Sequence, residues 1–299
     1  MNMLQITGLC KKFGDKNVLN GIDLVVPEHS IYGFVGKNGA GKTTTMKAIL
    51  GLLKPDAGEI AVNGERVVYG ETITNKYIGY LPDVPEFYSF MTAYEYLMFC
   101  GEISRIEKIE LKARCKELLE LVGLKNEKHR IKGFSRGMKQ RLGIAQALLN
   151  RPKLLICDEP TSALDPVGRK EILDILLAVR EETTVLFSTH ILSDVERVCT
   201  DVAFLNNGVI EIQGKLSDIK TKYRRDEYLL EIENESDLNK VMQTFSQTKK
   251  TGNTQLVFVN DDQLLYDILT FVANKRIPIL KMERIEPTLE SLFMEVIEE

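Results

Sequence analysis

The pattern of hydrophobic positions switches repeatedly between strand-like and helix-like periods along the first 215 residues. Short apolar runs predict strands over residues 4–9, 18–26, 31–35, 59–62, 66–69, 184–188 and 202–205, and the stretch 42–53 predicts a helix. Residues 153–158, Lys-Leu-Leu-Ile-Cys-Asp, form a nearly continuous apolar run, which is typical of a strand buried on both faces of a sheet. Strands that alternate with helices in this way predict an α/β fold.

The stretch from about residue 85 to residue 150 differs from its surroundings, because it has helix-like periods and no clear strand-like ones. It predicts helices over residues 92–100, 105–122 and 137–149. The α/β pattern resumes directly after it. We therefore expect a helical insert within the α/β domain.

The last part of the chain has its own composition. Residues 226–299 carry 15 acidic and seven basic side chains, whereas the first 225 residues carry 28 acidic and 32 basic ones. Their pattern predicts strands and helices in alternation, ending in a helix over residues 289–298. We predict a main domain over residues 1–220, with the helical insert at about 85–150, and an accessory α/β domain over residues 226–299.

Composition and charge exclude several classes of protein. The net charge is −4, so the chain has no overall basic field that would favour binding to nucleic acid. No apolar run approaches the roughly 20 residues of a transmembrane helix, and the first residues do not resemble a signal peptide. The five cysteines contain no Cys-x-x-Cys pair, which disfavours a zinc site. We expect a chain that neither is secreted through a leader nor anchors itself in a membrane.

The most specific motif is the octapeptide Gly-Lys-Asn-Gly-Ala-Gly-Lys-Thr that follows the strand over residues 31–35. It matches G-x-x-x-x-G-K-[ST] between a strand and a helix, which predicts a phosphate-binding loop. Its glycines allow consecutive backbone N–H groups to point into one concavity, and the following helix adds positive partial charge. The predicted nucleotide-binding residues of this loop are Gly36, Lys37, Asn38, Gly39, Ala40, Gly41, Lys42, Thr43 and Thr44.

Within this loop, two side chains have specific expected roles. Lys42 reaches the β- and γ-phosphates of a nucleotide, and the Thr43 hydroxyl is a ligand for Mg²⁺. A second motif supplies the matching half, because the apolar strand over residues 153–158 ends in Asp158 and is followed by Glu159. We expect Asp158 to hold Mg²⁺, and Glu159 to orient or deprotonate an attacking water molecule. ATP and Mg²⁺ are the expected substrate and cofactor.

With both motifs in place, residues 3–215 resemble an ATP-binding-cassette (ABC) ATPase, the nucleotide-binding subunit of a transporter. The segment Phe-Ser-Arg-Gly-Met-Lys-Gln over residues 134–140 resembles the family signature Leu-Ser-Gly-Gly-Gln. Ser-Ala-Leu-Asp over residues 162–165 is similar to the D-loop, and Ser-Thr-His over residues 188–190 is similar to the switch-histidine segment. The resemblance implies the P-loop NTPase fold of this family.

The resemblance also implies a mechanism. Two copies would pair head to tail, with each ATP between the phosphate loop of one copy and the signature segment of the other. Ser135 and Gly137 would then contact the γ-phosphate across the interface, and His190 would hydrogen-bond it and help to stabilise the transition state as a catalytic residue. Phe13 stands where family members stack an aromatic ring on adenine. A separate membrane-spanning permease would hold the dimer at the cytoplasmic face of the membrane, as a peripheral subunit.

The chain departs from the family pattern at three positions. Asp83 stands at the position of the Q-loop glutamine, which in the family contacts Mg²⁺ or its water and relays the nucleotide state to the permease. Aspartate is shorter and charged, so Asp83 is a candidate metal residue whose direct ligation stays open. Arg136 replaces the first signature glycine and Met138 replaces the signature glutamine, while Gly137 is retained.

Two regions allow a structural and a functional interpretation. The aromatic residues of the segment 85–100 are expected to divide, with about half in the core of the helical insert and the rest in a groove for the permease, where Phe87, Tyr88 or Phe90 is the expected contact. The C-terminal domain resembles the tail of exporter subunits for lipids, antibiotics or peptides, and it either regulates or assists dimerisation or is a structural cap.

We predict an ATP-hydrolysing subunit of an ABC transporter that drives transport, in the export direction, through ATP-dependent dimerisation. The alternative is an ABC ATPase without a permease, which acts on ribosomes or nucleic acid or as an assembly factor. Such ATPases usually carry two cassettes or a long coiled-coil insert, and this chain has one cassette and a short insert.

Overall fold

The computed structural model of this chain describes residues 2–71, 73–222, 227–285 and 289–290. It has two compact units, the first ending at Ile219 and the second beginning at Lys220. Nearly all of the helix predicted over residues 289–298 lies outside the described residues. None of the described helices is long and apolar enough to cross a membrane.

The first unit is built from strands and helices in alternation. Its strands are β1 (Asn2–Phe13), β2 (Lys16–Pro27), β3 (Ile31–Val35), β4 (Ala57–Val62), β5 (Glu65–Arg66), β6 (Ile78–Leu81), β7 (Leu154–Asp158), β8 (Thr184–Thr189), β9 (Asp201–Asn206) and β10 (Val209–Lys215). The helices up to the unit boundary are α1 (Lys42–Ile49), α2 (Ala93–Ile103), α3 (Lys108–Leu121), α4 (Arg136–Ala147), α5 (Pro166–Val179), α6 (Leu192–Val198) and α7 (Leu216–Lys222). Short 3₁₀ helices lie at Ile73–Tyr77 and Ile131–Gly133.

The central sheet positions the candidate site. Its strand order is β10-β9-β3-β8-β7-β6, and all neighbours are parallel except β10 and β9. Every residue of β3, β7 and β8 is buried, as expected for parallel strands covered on both faces. Val35 pairs with Thr189, and Asp158 pairs with Ser188. The carboxyl ends of these three strands therefore meet at one edge of the sheet.

A second sheet, with the strand order β2-β1-β4-β5, is antiparallel throughout. Its inward residues, such as Ile6 and Ile60, belong to the same core as Phe34 of the central sheet and Met46 of α1. This shared core covers one face of the central sheet. Helix α6 packs against strands β3 and β8 of the central sheet. The observed layers confirm the predicted α/β fold.

The predicted helices over residues 92–100, 105–122 and 137–149 correspond to α2, α3 and α4. The sequence explains where two of them begin. Thr92 and Glu95 form a capping box at α2, in which each side chain accepts a hydrogen bond from the backbone of the other. Ser135 caps α4, because its hydroxyl accepts a hydrogen bond from the backbone N–H of Met138 at 3.2 Å.

The second unit has the element order β11 (Glu227–Ile232), α8 (Glu235–Thr244), β12 (Lys249–Lys250), β13 (Gln255–Val259), α9 (Asp262–Asn274) and β14 (Ile279–Arg284). The strands form an antiparallel sheet in the order β12-β13-β11-β14. A βαββαβ chain with this strand order has the ferredoxin-like topology. Its core includes Leu230, Leu238, Phe258 and Ile268, from the sheet and from both helices. The predicted small C-terminal α/β domain is therefore present.

Two strands of the first unit were not predicted from the sequence. Strand β6 is short and contains Gly79, where a Cβ atom would meet the backbone of Ala147 in α4. Glycine lowers the strand signal in the sequence, but here it allows a helix to approach the strand closely. Strand β10 follows the turn at Gly208, alternates between exposed and half-buried positions, and completes a hairpin with β9.

Candidate functional site

The loop between β3 and α1 forms the floor of the candidate site. Gly36 follows the buried strand directly, and a Cβ atom at this position would lie 2.5 Å from the carbonyl oxygen of Leu205. Gly41 stands at the N-terminus of α1 with a φ of 115°, a backbone conformation that side chains strongly disfavour. The two glycines therefore allow the loop to turn tightly against the sheet and lead into the helix.

Lys42, the first residue of α1, is 6% exposed and extends back over this loop. Its Nζ donates hydrogen bonds to the carbonyl oxygens of Gly36, at 2.6 Å, and Lys37, at 3.3 Å. The same Nζ lies 3.1 Å from Oε1 of Glu159. An ammonium group is thus held at the mouth of the loop, where the phosphate-binding motif predicts it.

Asp158 links three elements at the carboxyl edge of the sheet. One carboxylate oxygen, Oδ2, accepts a hydrogen bond from the Thr43 hydroxyl at 2.7 Å. The other, Oδ1, accepts one from the Ser188 hydroxyl at 2.6 Å. The side chain is almost fully buried, and its charge contributes, after burial itself, to raising the pKa of Tyr80 to about 12. Tyr80 therefore stays neutral beside the carboxylate.

Glu159 has an unusual backbone conformation for a non-glycine residue, with a φ of 50°. Its N–H donates to the Ser188 hydroxyl at 3.0 Å, and this contact helps to hold the turn. The turn aims the carboxylate into the site, where Oε2 lies 2.9 Å from Nδ1 of His190. Since Nζ of Lys42 lies near Oε1, the carboxylate is flanked by an ammonium group and an imidazole ring. Strained backbone of this kind is concentrated at functional sites.

These groups surround a cavity of about 320 Å³. Ten of the residues predicted from the sequence line it: Asn38, Gly39, Gly41, Lys42, Thr43, Thr44, Asp83, Asp158, Glu159 and His190. Ser162 lines it as well and had no predicted role of its own. The structure thus brings the phosphate loop, the carboxylate pair and the switch histidine into one site, as the sequence predicts.

Six of the residues predicted to bind nucleotide are not among the cavity's lining residues: Gly36, Lys37 and Ala40 within the phosphate loop, and Phe13, Ser135 and Gly137 outside it. Phe13 ends β1 with its ring half exposed, and Nζ of Lys11 lies 5.3 Å from the ring centroid. Ser135 and Gly137 lie at the first turn of α4. A Cβ atom on Gly137 would meet nothing closer than 3.9 Å, so the packing of this chain does not itself require glycine there.

Ser188 is the functional residue that the sequence analysis missed. It was noted only as part of the switch-histidine segment, yet its hydroxyl donates to Asp158 and accepts from the backbone of Glu159. Its position before Thr189 and His190, at the end of a buried strand, was the available signal. The residue positions both acids, because the register places it directly opposite Asp158.

The donor set fits magnesium. Thr43, Asp83 and Asp158 all line the cavity, and the Thr43 hydroxyl contacts the Asp158 carboxylate. Oxygen atoms of this kind are the ligands that Mg²⁺ prefers. The cavity holds three carboxylates and one lysine, so a polyphosphate alone meets an excess of negative charge. A divalent cation bound together with the phosphates would reverse that balance.

Comparison with known proteins decides the family. A model of the ABC transporter family matches residues 19–162. An uncharacterized ABC transporter ATP-binding protein of Bacillus subtilis, YxlF, is 37% identical over 99% of this chain and 99% of its own length. This chain belongs to the family of ABC transporter ATP-binding proteins.

Further relatives of this ABC ATP-binding protein agree with the assignment. The bacitracin transport ATP-binding protein BcrA of Bacillus licheniformis is 40% identical over 75% of this chain and 73% of its own. A solved ATP-binding subunit of an ABC transporter is 33% identical and superimposes with a TM-score of 0.66, over 74% of this chain and 93% of its own. The predicted P-loop ABC ATPase fold is therefore confirmed.

Two further similarities concern the second unit and a nucleotide-bound cassette. The C-terminal domain of the DrrA1-3-like ATP-binding proteins matches residues 214–297 of this ABC ATP-binding protein. A dimeric ATP-binding cassette, solved in a post-hydrolysis state with ADP and phosphate, is 26% identical. It superimposes with a TM-score of 0.64 over 72% of this chain and 99% of its own.

Proposed function

We propose that this chain hydrolyses Mg²⁺-ATP as the nucleotide-binding subunit of an exporter, and that it works as a dimer on a separate permease. The observation that carries this proposal is the position of Glu159, whose carboxylate lies between the ammonium of Lys42 and the imidazole of His190 at the mouth of the phosphate loop. A carboxylate there is suited to accept a proton from, or to orient, an attacking water molecule. Positioning of this kind is the main requirement of phosphoryl transfer to water.

The remaining roles follow from the contacts of each residue. Lys42 and the backbone N–H groups of residues 36–44 would bind the β- and γ-phosphates. The ammonium group is held over the loop by its bond to Gly36, and the loop leads into the N-terminus of α1. Thr43 and Asp158 would hold Mg²⁺, with Asp83 in reach of the same cavity. Magnesium, when bound, neutralises charge that develops on the transferred phosphoryl group. His190 would contact the γ-phosphate and hold Glu159 in place.

Dimerisation would complete the site. Ser135 and Gly137 lie at the start of α4 and outside the residues that line the cavity of their own chain, with open space in front of Gly137. A helix N-terminus with exposed N–H groups is suited to bind phosphate. We infer that these residues contact the nucleotide held by a second copy. The dimeric relative solved with ADP and phosphate supports this arrangement. Phe13 would stack on the adenine of its own chain's nucleotide.

The enzymatic part is tested by Glu159→Gln, with Glu171→Gln as the matched control on the exposed side of α5. We expect ATP turnover to fall by roughly 10²–10⁴-fold in Glu159→Gln, the usual contribution of a general base. Mg²⁺-ATP should still bind, and the dimer should accumulate, because the phosphate contacts remain. Turnover by phosphate release, nucleotide affinity and mass by light scattering measure the three properties. Turnover within about twofold of the unmodified protein would place the base elsewhere.

The segment after Asp83 is the proposed contact with the permease. A groove of about 300 Å³ is lined there by residues that include Val84, Phe87 and Ile131. The ring of Phe87 packs edge-on against the ring of Tyr96, with centroids 5.0 Å apart, so Phe87 belongs in part to the core of the helical insert. Tyr88 and Phe90, which flank the groove residue Ser89 in the sequence, are 51% and 61% exposed, and exposed aromatic residues favour a docking surface. The packing of Phe87 supports a place in the core, and the exposure of Tyr88 and Phe90 supports a place on the proposed docking surface.

Co-purification tests this contact. We expect Tyr88→Glu and Phe90→Glu to lose most of the permease from the complex in detergent, while ATP binding by the isolated subunit is unchanged. Tyr266→Glu is the control, since Tyr266 is equally exposed but lies in the second unit. Retention of the permease by both variants would rule this surface out.

The named relatives are all transporter subunits, which supports transport over action on ribosomes or nucleic acid. BcrA is a bacitracin transport ATP-binding protein, which supports transport, and export is the direction that we propose here. The site would then lie at the cytoplasmic face of the membrane, where the permease holds it.

A further inference from the structure

Two of the positions that depart from the family pattern contact each other. The Arg136 guanidinium Nη2 lies 3.5 Å from Oδ1 of Asp83 within the same chain. Both side chains are about half exposed, at 45% and 49%. The departures at the Q-loop and signature positions are therefore one structural feature rather than two separate ones.

A second contact ties the same two segments together. Nε2 of Gln140, which is fully buried, donates to the backbone carbonyl oxygen of Asp83 at 2.7 Å. Gln140 lies four residues after Arg136 and so on the same face of α4. The backbone contact fixes where Asp83 lies, and the guanidinium then has the carboxylate within reach.

Asp83 faces two cavities. It lines the phosphate-loop cavity with Lys42 and Asp158, and it also lines a smaller one, of about 200 Å³, with Arg136 and Gln140. Arg136 is not among the residues that line the first cavity. The guanidinium therefore reaches the candidate nucleotide site through Asp83.

The position of Arg136 also calls for a negative partner. It is the first residue of α4, where the helix dipole disfavours positive charge. The carboxylate of Asp83 offsets this cost. The pair is too exposed to matter much for stability, because exposed salt bridges are screened by solvent and contribute little. The Asp83 carboxylate nevertheless lines the cavity that is proposed to bind a polyphosphate and a divalent cation.

We propose that Arg136 is a positioning residue that sets how strongly nucleotide binding depends on magnesium, by partly neutralising Asp83. The proposal rests on the function proposed above, since it takes the first cavity to bind Mg²⁺ and nucleotide. With Arg136 beside it, the carboxylate attracts a divalent cation less and repels a metal-free polyphosphate less. Without Arg136, both effects of the carboxylate grow.

Nucleotide affinity tests this, in the full-length protein and without catalysis. The dissociation constant of a fluorescent ATP analogue is measured in MgCl₂ and in EDTA, and the ratio of the EDTA value to the MgCl₂ value gives the magnesium dependence. We expect Arg136→Gln to raise this ratio roughly two- to fivefold, the range that a pair of this exposure supports. Asp83→Asn should lower it by a similar factor.

The double variant separates an indirect effect from a direct one. If Arg136 acts through Asp83, adding Arg136→Gln to Asp83→Asn leaves the ratio unchanged. An equal rise in that background would mean that Arg136 acts on the ligand directly, and an unchanged ratio in both single variants would mean that the pair has no role. Either result overturns the proposal.

Two controls keep these outcomes apart from other failures. Arg197→Gln removes an arginine that pairs with Asp174 at 3.0 Å and similar exposure, so it reports the effect of losing any such surface pair. It should leave the ratio unchanged. Thermal unfolding confirms that each variant is folded. If the unmodified protein bound the analogue equally well in EDTA, the proposed function itself would fail, whatever the variants did.

Discussion

The two units use their sheets in different ways. In the first unit, β3, β7 and β8 are parallel and completely buried, and their polar residues follow at the carboxyl ends. In the second unit, the sheet is antiparallel, and buried positions such as Leu230 and Ile232 alternate with partly exposed ones. Parallel strands end at the same edge, so their end residues accumulate there, whereas antiparallel neighbours end at opposite edges.

The difference explains why the residues of the candidate site come together in the first unit. All residues that line the phosphate-loop cavity belong to the first unit. The second unit has a core in which Tyr228 stacks on Phe258, with ring centroids 5.6 Å apart, and helices that cover one face of its sheet. Its architecture is suited to stability and to contacts, while that of the first unit concentrates charge at a single edge.

The sharpest test of this contrast is Lys42→Ala. We expect it to weaken Mg²⁺-ATP binding by about 100-fold or more, because loss of one buried charged partner costs roughly 2–5 kcal/mol. Lys42 bridges the phosphate loop and Glu159, and its removal leaves that carboxylate beside the phosphates without a cation. Isothermal titration measures the affinity, and Lys170→Ala, on the exposed side of α5, is the control.

The same variant should not affect the second unit. Hydrogen exchange of β11 and β13 should match that of the unmodified protein, since no residue of these strands lines the cavity. Retained affinity in Lys42→Ala would contradict the assignment of the loop and with it the contrast between the units.

A smaller effect is expected from a matched pair of core substitutions. Phe187 in β8 and Phe258 in β13 are both essentially unexposed. Replacing either with alanine should lower the free energy of unfolding by about 3–5 kcal/mol, the usual cost of removing a buried ring. Only Phe187→Ala should also weaken nucleotide binding, because the next residue of β8, Ser188, contacts both Asp158 and Glu159.

Hydrogen exchange with and without nucleotide measures both effects in one experiment. Phe258→Ala should increase exchange in β11 and β13 and leave the protection of β3 and β7 by nucleotide unchanged. A loss of nucleotide affinity in Phe258→Ala as large as that in Phe187→Ala would show that the two units are not functionally distinct in this way.

Much of the site was predictable because its parts are local motifs. The octapeptide at Gly36–Thr43 requires a strand before it and a helix after it, and both can be read from hydrophobic periods. Asp158 and Glu159 follow a continuous apolar run that only a doubly covered strand explains. The capped helices of the insert were predictable for the same reason, since Thr92 and Ser135 are cap residues beside their own helices.

Other features are not local and could not be predicted. Glu159 combines a φ of 50° with a contact of its N–H to Ser188, which is 29 residues away in the sequence. The pair of Asp83 and Arg136 spans 53 residues. Strand β6 was missed because the glycine that weakens its strand signal is required by the close approach of α4.

The sequence by itself determined the family, the order of most elements and the residue types proposed to bind phosphate and metal, because hydrophobic periods and loop motifs depend on neighbours along the chain. Only the tertiary structure decided which of these residues share a cavity, how Glu159 is aimed and what Arg136 contacts. Those properties depend on strand register and helix packing, which bring together residues that are far apart in the sequence.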